Sequence, residues 1–559
     1  MRSAALVLVL LGLVAQDKSL KKLEWKLAPG HAAEFSYLDK AGKPVAGQTL
    51  TVFASEFTPT SNRIAVDACE KIPVFLLFQL PPEPIKASAG WEFQANFFNE
   101  FLDVNDVSNG TSLRPCCAKG RYLAKVQKKG DDEVATIEGA FSIVDLRRDV
   151  VNSQVKTTVT KIELGTLATT LQFSLSRGMI LKAAWQFKMK GQDREGGRLV
   201  QKVIDSHQML EFKEDVELDP AKIQPAIEAS IARAVEWLKK QQKSGAWPST
   251  LKGPASAVET VYLTAVAVRA LAAAGVKPDD PALVAASKTL RSAPPQENFT
   301  LCQQILALAA KTPTKDEADD LRKFAEELQK RREPRSGGWA AVPGKNEFAT
   351  AYLTAFALEA MAAAPDARIT DETFKSGLEF FSGNWVEDDG RADLNIDFEK
   401  DATTIEAGPR KAVVPVTWPN FVIKGNEFLA GRKGNFFTHV AALRVLLLIP
   451  ERLKFDAADL KKLDLPLSRG LSNLQIRWTL RTVPPIEGPW SAMRLEYLAL
   501  LGSTLARAKV DRIAGSDWRL EGATLLLREQ AEDGSWFAGT DQAVAKTAHA
   551  LLFLAAAKR

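Results

Sequence analysis

Two segments near opposite ends of the C-terminal half carry the same spacing. One is AVEWLKKQQKSGAW, from Ala234 to Trp247, and the other is TLLLREQAEDGSW, from Thr524 to Trp536. Each has a Leu, a Gln one helical turn later, and then Gly-x-Trp: Leu238, Gln242, Gly245 and Trp247 in the first, Leu526, Gln530, Gly534 and Trp536 in the second. A third copy keeps Leu328, Gly337 and Trp339 but has Arg332 at the Gln position. A signature that returns along a chain points to stacked copies of one supersecondary unit, which bury their apolar faces against one another.

The helical pattern around these segments repeats too. It begins at Leu218-Asp219-Pro220, where Asp precedes a Pro suited to the first turn of a helix. Ile223, Ile227, Ile231, Val235 and Leu238 then mark one helical face. From there the pattern predicts about six helix pairs. First members run over about 221–242, 281–292, 315–331, 370–382, 465–480 and 517–530, and second members over about 257–274, 298–311, 347–363, 435–449, 490–506 and 541–557. The second members are Ala-rich. ETVYLTAVAVRALAAAG (Glu259–Gly275) and ATAYLTAFALEAMAAAP (Ala349–Pro365) match almost position for position, and AKTAHALLFLAAAK (Ala545–Lys558) is a third version. Aligned this way, Thr260, Thr350 and Thr547 fall in register, as do Tyr262, Tyr352 and His549. Apolar helices inside a ring of amphipathic ones make residues 218–559 a closed α/α toroid. An insertion at about 385–434 splits the fourth pair. It carries an acidic cluster (Glu387, Asp388, Asp389, Asp393, Asp397, Glu399) and the strand-like AVVPVTW (Ala412–Trp418). A loop of that length is either a lid or partner-binding flap, or a solvated excursion.

The Leu–Gln–Gly-x-Trp segments resemble the QW motif of the terpenoid cyclase and protein prenyltransferase superfamily, over the C-terminal three-fifths of the chain. The resemblance implies that Trp247, Trp339 and Trp536 are structural and tie the end of an outer helix to the next inner one. It also implies that the Gln amides occupy backbone groups left open at helix ends. The superfamily's chemistries need residues that are missing here. Squalene-cyclising members use Asp-x-Asp-Asp inside the ring, whereas VEDDG (Val386–Gly390) and VKPDDP (Val276–Pro281) lie in loops. Prenyltransferases hold zinc through Asp, Cys and His, and the only Cys of this region, Cys302, reads as a small buried hydrophobe. The Gly-Cys-Gly-Glu-Gln of thioester domains does not occur. Neither cyclisation nor prenyl transfer is expected, and no metal or cofactor.

Residues 16–217 have period two instead. LTVFASEF (Leu50–Phe57), PVFLLFQL (Pro73–Leu80), WEFQANFF (Trp91–Phe98) and ILKAAWQFKMKG (Ile180–Gly191) alternate as strands of an antiparallel sheet do. RYLAKVQKKGDDEVATIEGAFSIV reads as a hairpin turning at Lys128–Asp132, and a second hairpin spans Phe173 to Trp185. The fold class is therefore multidomain α and β: an antiparallel β-rich domain, then the toroid. LPPEPIKASAGWEF and FSLSRGMILKAAWQF resemble β-rich domains of periplasmic type with a curled, half-barrel sheet. Such a sheet either closes on its own core or holds a lipid-like ligand in its concave face. Residues 1–15 carry Arg2 and the apolar run Ala4–Val14, too short to span a bilayer and of signal-peptide proportions, with a short anchor as the alternative. Export permits a disulfide from Cys69 to Cys116 or Cys117. No later segment reads as a transmembrane helix. A net charge of +5 on 559 residues, with no Lys/Arg-rich run, excludes nucleic acid as an expected partner.

His439 and His549 lie near the starts of two inner helices, with Tyr262, Tyr352, Arg494 and Tyr497 at similar places. Together they are the candidate ligand contacts at one mouth of the ring; Glu259, Glu347, Glu496 and Asp541 are nearby in sequence. Such residues serve proton transfer in polysaccharide lyases and glycosidases built on helical toroids, and equally serve as helix caps. Two readings follow. One is an exported, non-catalytic binding or scaffold protein for a peptide, glycan or hydrophobic ligand. The alternative is a divergent enzyme of the toroid fold, terpenoid cyclase-like or a glycan-active lyase or hydrolase. Inward carboxylates would favour the enzyme, and a cavity filled by Phe and Leu the scaffold.

Overall fold

The structure is a computed structural model. It describes residues 20–54, 84–99, 114–334, 337–340, 349–387, 416–417, 436–480, 493–537 and 542–558, apart from 29, 87, 152–153, 161–163, 196–197, 296, 365–367, 384–385, 477, 479 and 514. Residues 1–15, Cys69, Glu347, Asp541 and most of the 385–434 insertion lie outside the described residues, as do the side chains of Cys116 and Cys117.

The front half is antiparallel sheet. Its strands are β1 (Leu20–Lys21), β2 (His31–Leu38), β3 (Pro44–Phe53), β4 (Ile85–Lys86), β5 (Ser88–Asn99), β6 (Arg114–Lys129), β7 (Asp132–Val151), β8 (Gln154–Thr160), β9 (Leu164–Ser174), β10 (Met179–Glu195) and β11 (Arg198–Glu217). The main sheet runs β3-β2-β11-β10-β9-β7-β6-β5, with β8 on β7. Period two is visible in β10, where Ala183, Trp185 and Phe187 are buried and the residues between them are less so. Both expected hairpins form. β6 and β7 pair from Lys129 opposite Asp132, around Gly130 at φ 62°. β9 and β10 turn at Gly178, φ 60°, where a Cβ would come within 2.5 Å of the Glu24 carbonyl oxygen. Only glycine fits there. The inner face packs into a core of its own around Phe35, Tyr122, Phe173 and Trp185, with Leu23 buried among them. Trp25 lies over this face, edge-on to Phe173 at 5.3 Å.

The back half is a ring of helices. The outer members are α1 (Pro220–Gln241), α3 (Pro281–Ser292), α5 (Lys315–Lys330), α7 (Asp371–Gly383), α9 (Ala457–Ile476) and α11 (Trp518–Glu529). The inner members are α2 (Pro254–Ala273), α4 (Asn298–Ala309), α6 (Ala351–Ala362), α8 (Phe436–Leu453), α10 (Arg494–Arg507) and α12 (Ala543–Ala557). Each inner helix packs on the next, and α12 packs on α2, so the ring closes. Several outer helices start on side-chain caps: Asp219, Asp280 and Asp517 accept from Ala221, Ala282 and Leu520 amides, and Thr314 forms a capping box with Glu317. The sequence misplaces one start. α9 begins at Ala457, not near 465, and carries Pro466 inside, where a Pro ordinarily marks a first turn or a kink. Of the insertion, β12 (Val386–Glu387) pairs with β13 (Val416–Thr417), which falls in the expected strand.

The three Trp joints share one geometry. The indole N–H of Trp247, Trp339 and Trp536 donates to the carbonyl of Leu238, Leu328 and Leu526, at 2.7, 2.7 and 3.0 Å. Each Trp backbone amide donates to a threonine of the next inner helix: Thr264, Thr354 and Thr547. One side chain thus stops an outer helix and positions an inner one. The amides link neighbouring outer helices: Gln242 donates to the Ala282 carbonyl of α3, and Gln530 to the Ser230 carbonyl of α1. Arg332 stays within its own loop, on the Gly337 carbonyl, and Gln329 makes the crossing instead, to Thr373 of α7. The joints also correct the repeat register. Thr547 is equivalent to Thr264 and Thr354, not to Thr260 and Thr350, so His549 lies one turn deeper than Tyr262 and Tyr352. The apolar face repeats at both three and four residues, so sequence matching alone allows a slip of one turn.

Gly534 sits at φ 92°, and a Cβ there would stand 2.6 Å from the Arg233 carbonyl oxygen of α1. Strain and collision add, so Gly534→Ala is expected to cost about 2–3 kcal/mol in denaturant unfolding. Gly275→Ala, also at positive φ but with open space around it, is the control and should cost less.

Sheet and ring are joined at α11. Arg528 donates to Glu34 Oε2 at 2.9 Å and to Thr51, and Lys213 donates to Glu34 Oε1 at 3.0 Å. Burial raises the Glu34 carboxyl, but the bonds from Lys213 and Arg528 outweigh it and hold the group below its ordinary value. Ala32 and Phe53 of the sheet are buried in the same cluster as the helices. The stretch Ala255–Ala273 of α2 is, against expectation, long and apolar enough to cross a membrane. The same composition is what a helix between α4 and α12 in the inner ring requires.

Candidate functional site

The inner helices bring their N-terminal halves to one mouth of the ring, and each contributes one aromatic ring to a continuous series, in which His549 stands one turn deeper than Tyr262 and Tyr352. In order around the ring these are Tyr262 (α2), Phe299 (α4), Tyr352 (α6), Phe437 (α8), Tyr497 (α10) and His549 (α12). Successive centroids from His549 through Tyr262 to Tyr497 stand 6.5, 5.7, 5.8, 5.5 and 6.2 Å apart. Phe356, a turn below Tyr352, packs against it at 4.8 Å. Tyr262, Phe299 and Tyr352 keep part of their surface open, while Phe437 and Tyr497 are fully buried.

Glu496 of α10 meets this layer. The Tyr352 hydroxyl donates to Glu496 Oε1 at 2.9 Å. Burial among the rings disfavours the carboxylate and pushes it up to about 7, against the smaller opposing pull of Tyr352, Lys546 and Arg269. The Tyr262 and Tyr352 phenols are raised well above their ordinary value, by burial first and by Glu496 next. Tyr262 also feels Glu259, a carboxylate one turn earlier on α2 that accepts a hydrogen bond from Ser249. Burial, with Arg269 and Lys546 beyond it, pushes His549 down to about 3 and keeps its imidazole neutral. Lys546 is itself lowered by burial.

A charged layer lies two turns further in. Arg444 Nη2 donates to Glu359 Oε1 at 2.6 Å, and Arg269 Nη1 donates to Gln303 Oε1 at 2.6 Å. Burial would raise the Glu359 carboxyl, but Arg444, Arg269 and Arg507 outweigh it and hold it low. The hollow therefore has an aromatic mouth with one carboxyl near neutrality, above a floor of arginines.

Of the residues singled out from sequence, Tyr262, Tyr352, Tyr497 and His549 come together. His439 does not join them: its Nε2 lies 3.0 Å from the Gly470 carbonyl oxygen of α9, toward the outer ring. Arg494 also turns outward, donating to Glu529 of α11 at 2.8 and 3.0 Å and to the Leu480 carbonyl at 2.9 Å. Cys302 is free, buried and held as thiol by that burial. Among the described residues no three His, Cys, Asp or Glu side chains converge as a metal site would need. Sequence reasoning passed over Arg269, Glu359 and Arg444. Their signal is that Arg269 and Glu359 hold the same place in the two matching Ala-rich segments, each flanked by apolar residues on both sides.

No protein-family model matches the chain, and no curated protein does. Among solved structures, one similar to it is a family 76 glycoside hydrolase from a bovine Bacteroides thetaiotaomicron strain, at 8% identity, 77% of this chain, 97% of that chain and a TM-score of 0.39. Another is a polysaccharide lyase, at 10% identity, 90% of this chain, 87% of that chain and a TM-score of 0.30. Neither is a terpenoid cyclase or a prenyltransferase. Likenesses this distant say nothing about chemistry; the toroid is defined by the closed ring of inner helices itself.

Proposed function

We propose that the mouth of the ring binds a glycan and that the protein acts on it by proton transfer through Glu496. The observation that carries this reading is the Glu496 carboxyl, poised near neutrality beside Tyr352 in a layer of partly open aromatic rings. Flat rings offer stacking faces to a sugar, and a carboxyl with a value near working pH is suited to give or take a proton. In hydrolysis, protonated Glu496 gives its proton to the glycosidic oxygen as the C–O bond breaks. Glu259, which also lies within the field of Tyr262, takes a proton from the water whose oxygen bonds to the sugar carbon. This favours the enzyme among the two readings made from sequence. The Gly-x-Trp joints support kinship with the terpenoid cyclase superfamily, without its catalytic acid or zinc ligands.

The test is a panel of neutral and acidic oligosaccharides incubated with purified protein. New reducing ends are the readout for hydrolysis, and ultraviolet absorbance of an unsaturated sugar end for elimination. Squalene and prenyl diphosphates run in parallel are expected to give no product. Turnover of a glycan supports the reading; saturable binding without turnover would return the protein to the scaffold reading, and an inert panel would remove the glycan altogether.

A further inference from the structure

The proton-transfer step makes no use of the floor of the hollow, where Arg269 is under-supplied with partners. A guanidinium carries five N–H donors. Among the described residues Arg269 donates one hydrogen bond, to the neutral amide of Gln303, and forms no ion pair. The nearest carboxylate in its field, Glu359, is already engaged by Arg444 at 2.6 Å. Arg269 is only half-buried, and none of its nitrogens is both sealed from solvent and without an acceptor. The remaining donors therefore keep contact with solvent. Side chains on a helix lean toward its N-terminus, so Arg269 of α2 leans toward the mouth, where Tyr262 lies two turns earlier. Lys546 adds a second cation beside Glu496, with its Nζ 5.1 Å from the Phe537 ring centroid. When Glu496 is protonated, the open part of the hollow is positive.

A guanidinium held away from bulk water with spare donors is costly unless an anion meets it, and bidentate bonding to a carboxylate or sulfate is its best-matched contact. We propose that Arg269 receives a negatively charged group of the bound sugar, a uronate carboxylate or a sulfate ester, so that the ligand of the ring is an acidic glycan. This rests on the glycan reading above. Seven residues of helix separate Arg269 from Tyr262, about 10 Å along the axis before the side chain reaches back. The anion thus belongs to a sugar unit inward of the one at the aromatic layer.

The experiment measures binding by calorimetry with three tetrasaccharides: an oligogalacturonate, its carboxyl-reduced neutral counterpart, and a neutral-backbone tetrasaccharide carrying sulfate esters. We expect at least one acidic ligand to bind tenfold or more tighter than the neutral one, with the preference falling as salt rises. Arg269→Gln should abolish the preference and leave neutral binding in place, and Arg269→Lys should retain part of it. The acidic ligand that loses affinity in the variant identifies carboxylate or sulfate as the recognised group. Equal affinity for acidic and neutral ligands, or a preference unchanged in both variants, overturns the inference and leaves the glycan reading standing. No binding of any of the three overturns the glycan reading and this inference with it. Should Arg269→Gln fail to fold, as judged by circular dichroism, Arg269→Lys and the salt dependence decide the question alone.

Discussion

Trp536→Ala will lower the unfolding free energy of the helical ring by about 3–5 kcal/mol, the range for emptying a large buried aromatic site. Trp536 is fully buried, and its indole meets the Leu526 carbonyl at 3.0 Å while its amide meets Thr547. The substitution opens a cavity and orphans a helix-end carbonyl at the seam where the last repeat meets the first. There Gln530 reaches Ser230 of α1, and the Trp237 indole reaches Asp533. Trp536→Phe separates the two contributions. It keeps most of the apolar volume and leaves the carbonyl unpaired, so it should cost about 1–3 kcal/mol. Denaturant unfolding followed by far-ultraviolet circular dichroism reads the helical signal. A loss below about 1 kcal/mol for Trp536→Ala would mean that the ring does not depend on this joint.

The joints were legible because they recur with fixed spacing, and the helices because Ala-rich and charged segments alternate. What the sequence hid was azimuth. Successive residues on a helix are about 100° apart, so two residues separated by two positions face roughly opposite ways. Phe437 and His439 are such a pair: once Phe437 joins the aromatic layer, His439 must face α9. Tyr262 with Thr264 and Tyr352 with Thr354 follow the same rule, the tyrosine inward and the threonine on a Trp amide. His549 comes two residues after its threonine, not two before, and so reaches the same hollow from one turn deeper. Proximity to a helix start was therefore a weaker guide than phase relative to the Trp-binding threonine. The pairing of Arg444 with Glu359 was beyond reach for another reason. It needs the order of helices around the ring, which places α6 beside α8 across the 385–434 insertion.

Glu496→Gln will separate catalysis from stability. With a suitable glycan, loss of a positioned proton donor should reduce turnover by about 10²- to 10⁴-fold with little change in binding. The wild-type rate should fall as pH rises through about 7, because only the protonated carboxyl can act as the acid. Stability should fall over the same range. The folded-state value of Glu496 lies above its ordinary value of 4.5, so its contribution is fully present below that value and is lost as pH rises through about 7. Gln has no charge to bury and suffers no such loss. Relative to wild type, the variant should therefore gain on the order of 2 kcal/mol between pH 4 and pH 8, after allowing for water in the hollow. Unfolding at the two pH values and a rate profile on the same preparations supply both readouts. An unchanged rate would end the role proposed for Glu496. A lost rate together with a variant less stable than wild type at pH 8 would make the Tyr352–Glu496 bond a structural strut. A lost rate with a variant as stable or more so at pH 8 leaves a desolvated carboxyl whose burial weakens the fold and whose proton serves the reaction.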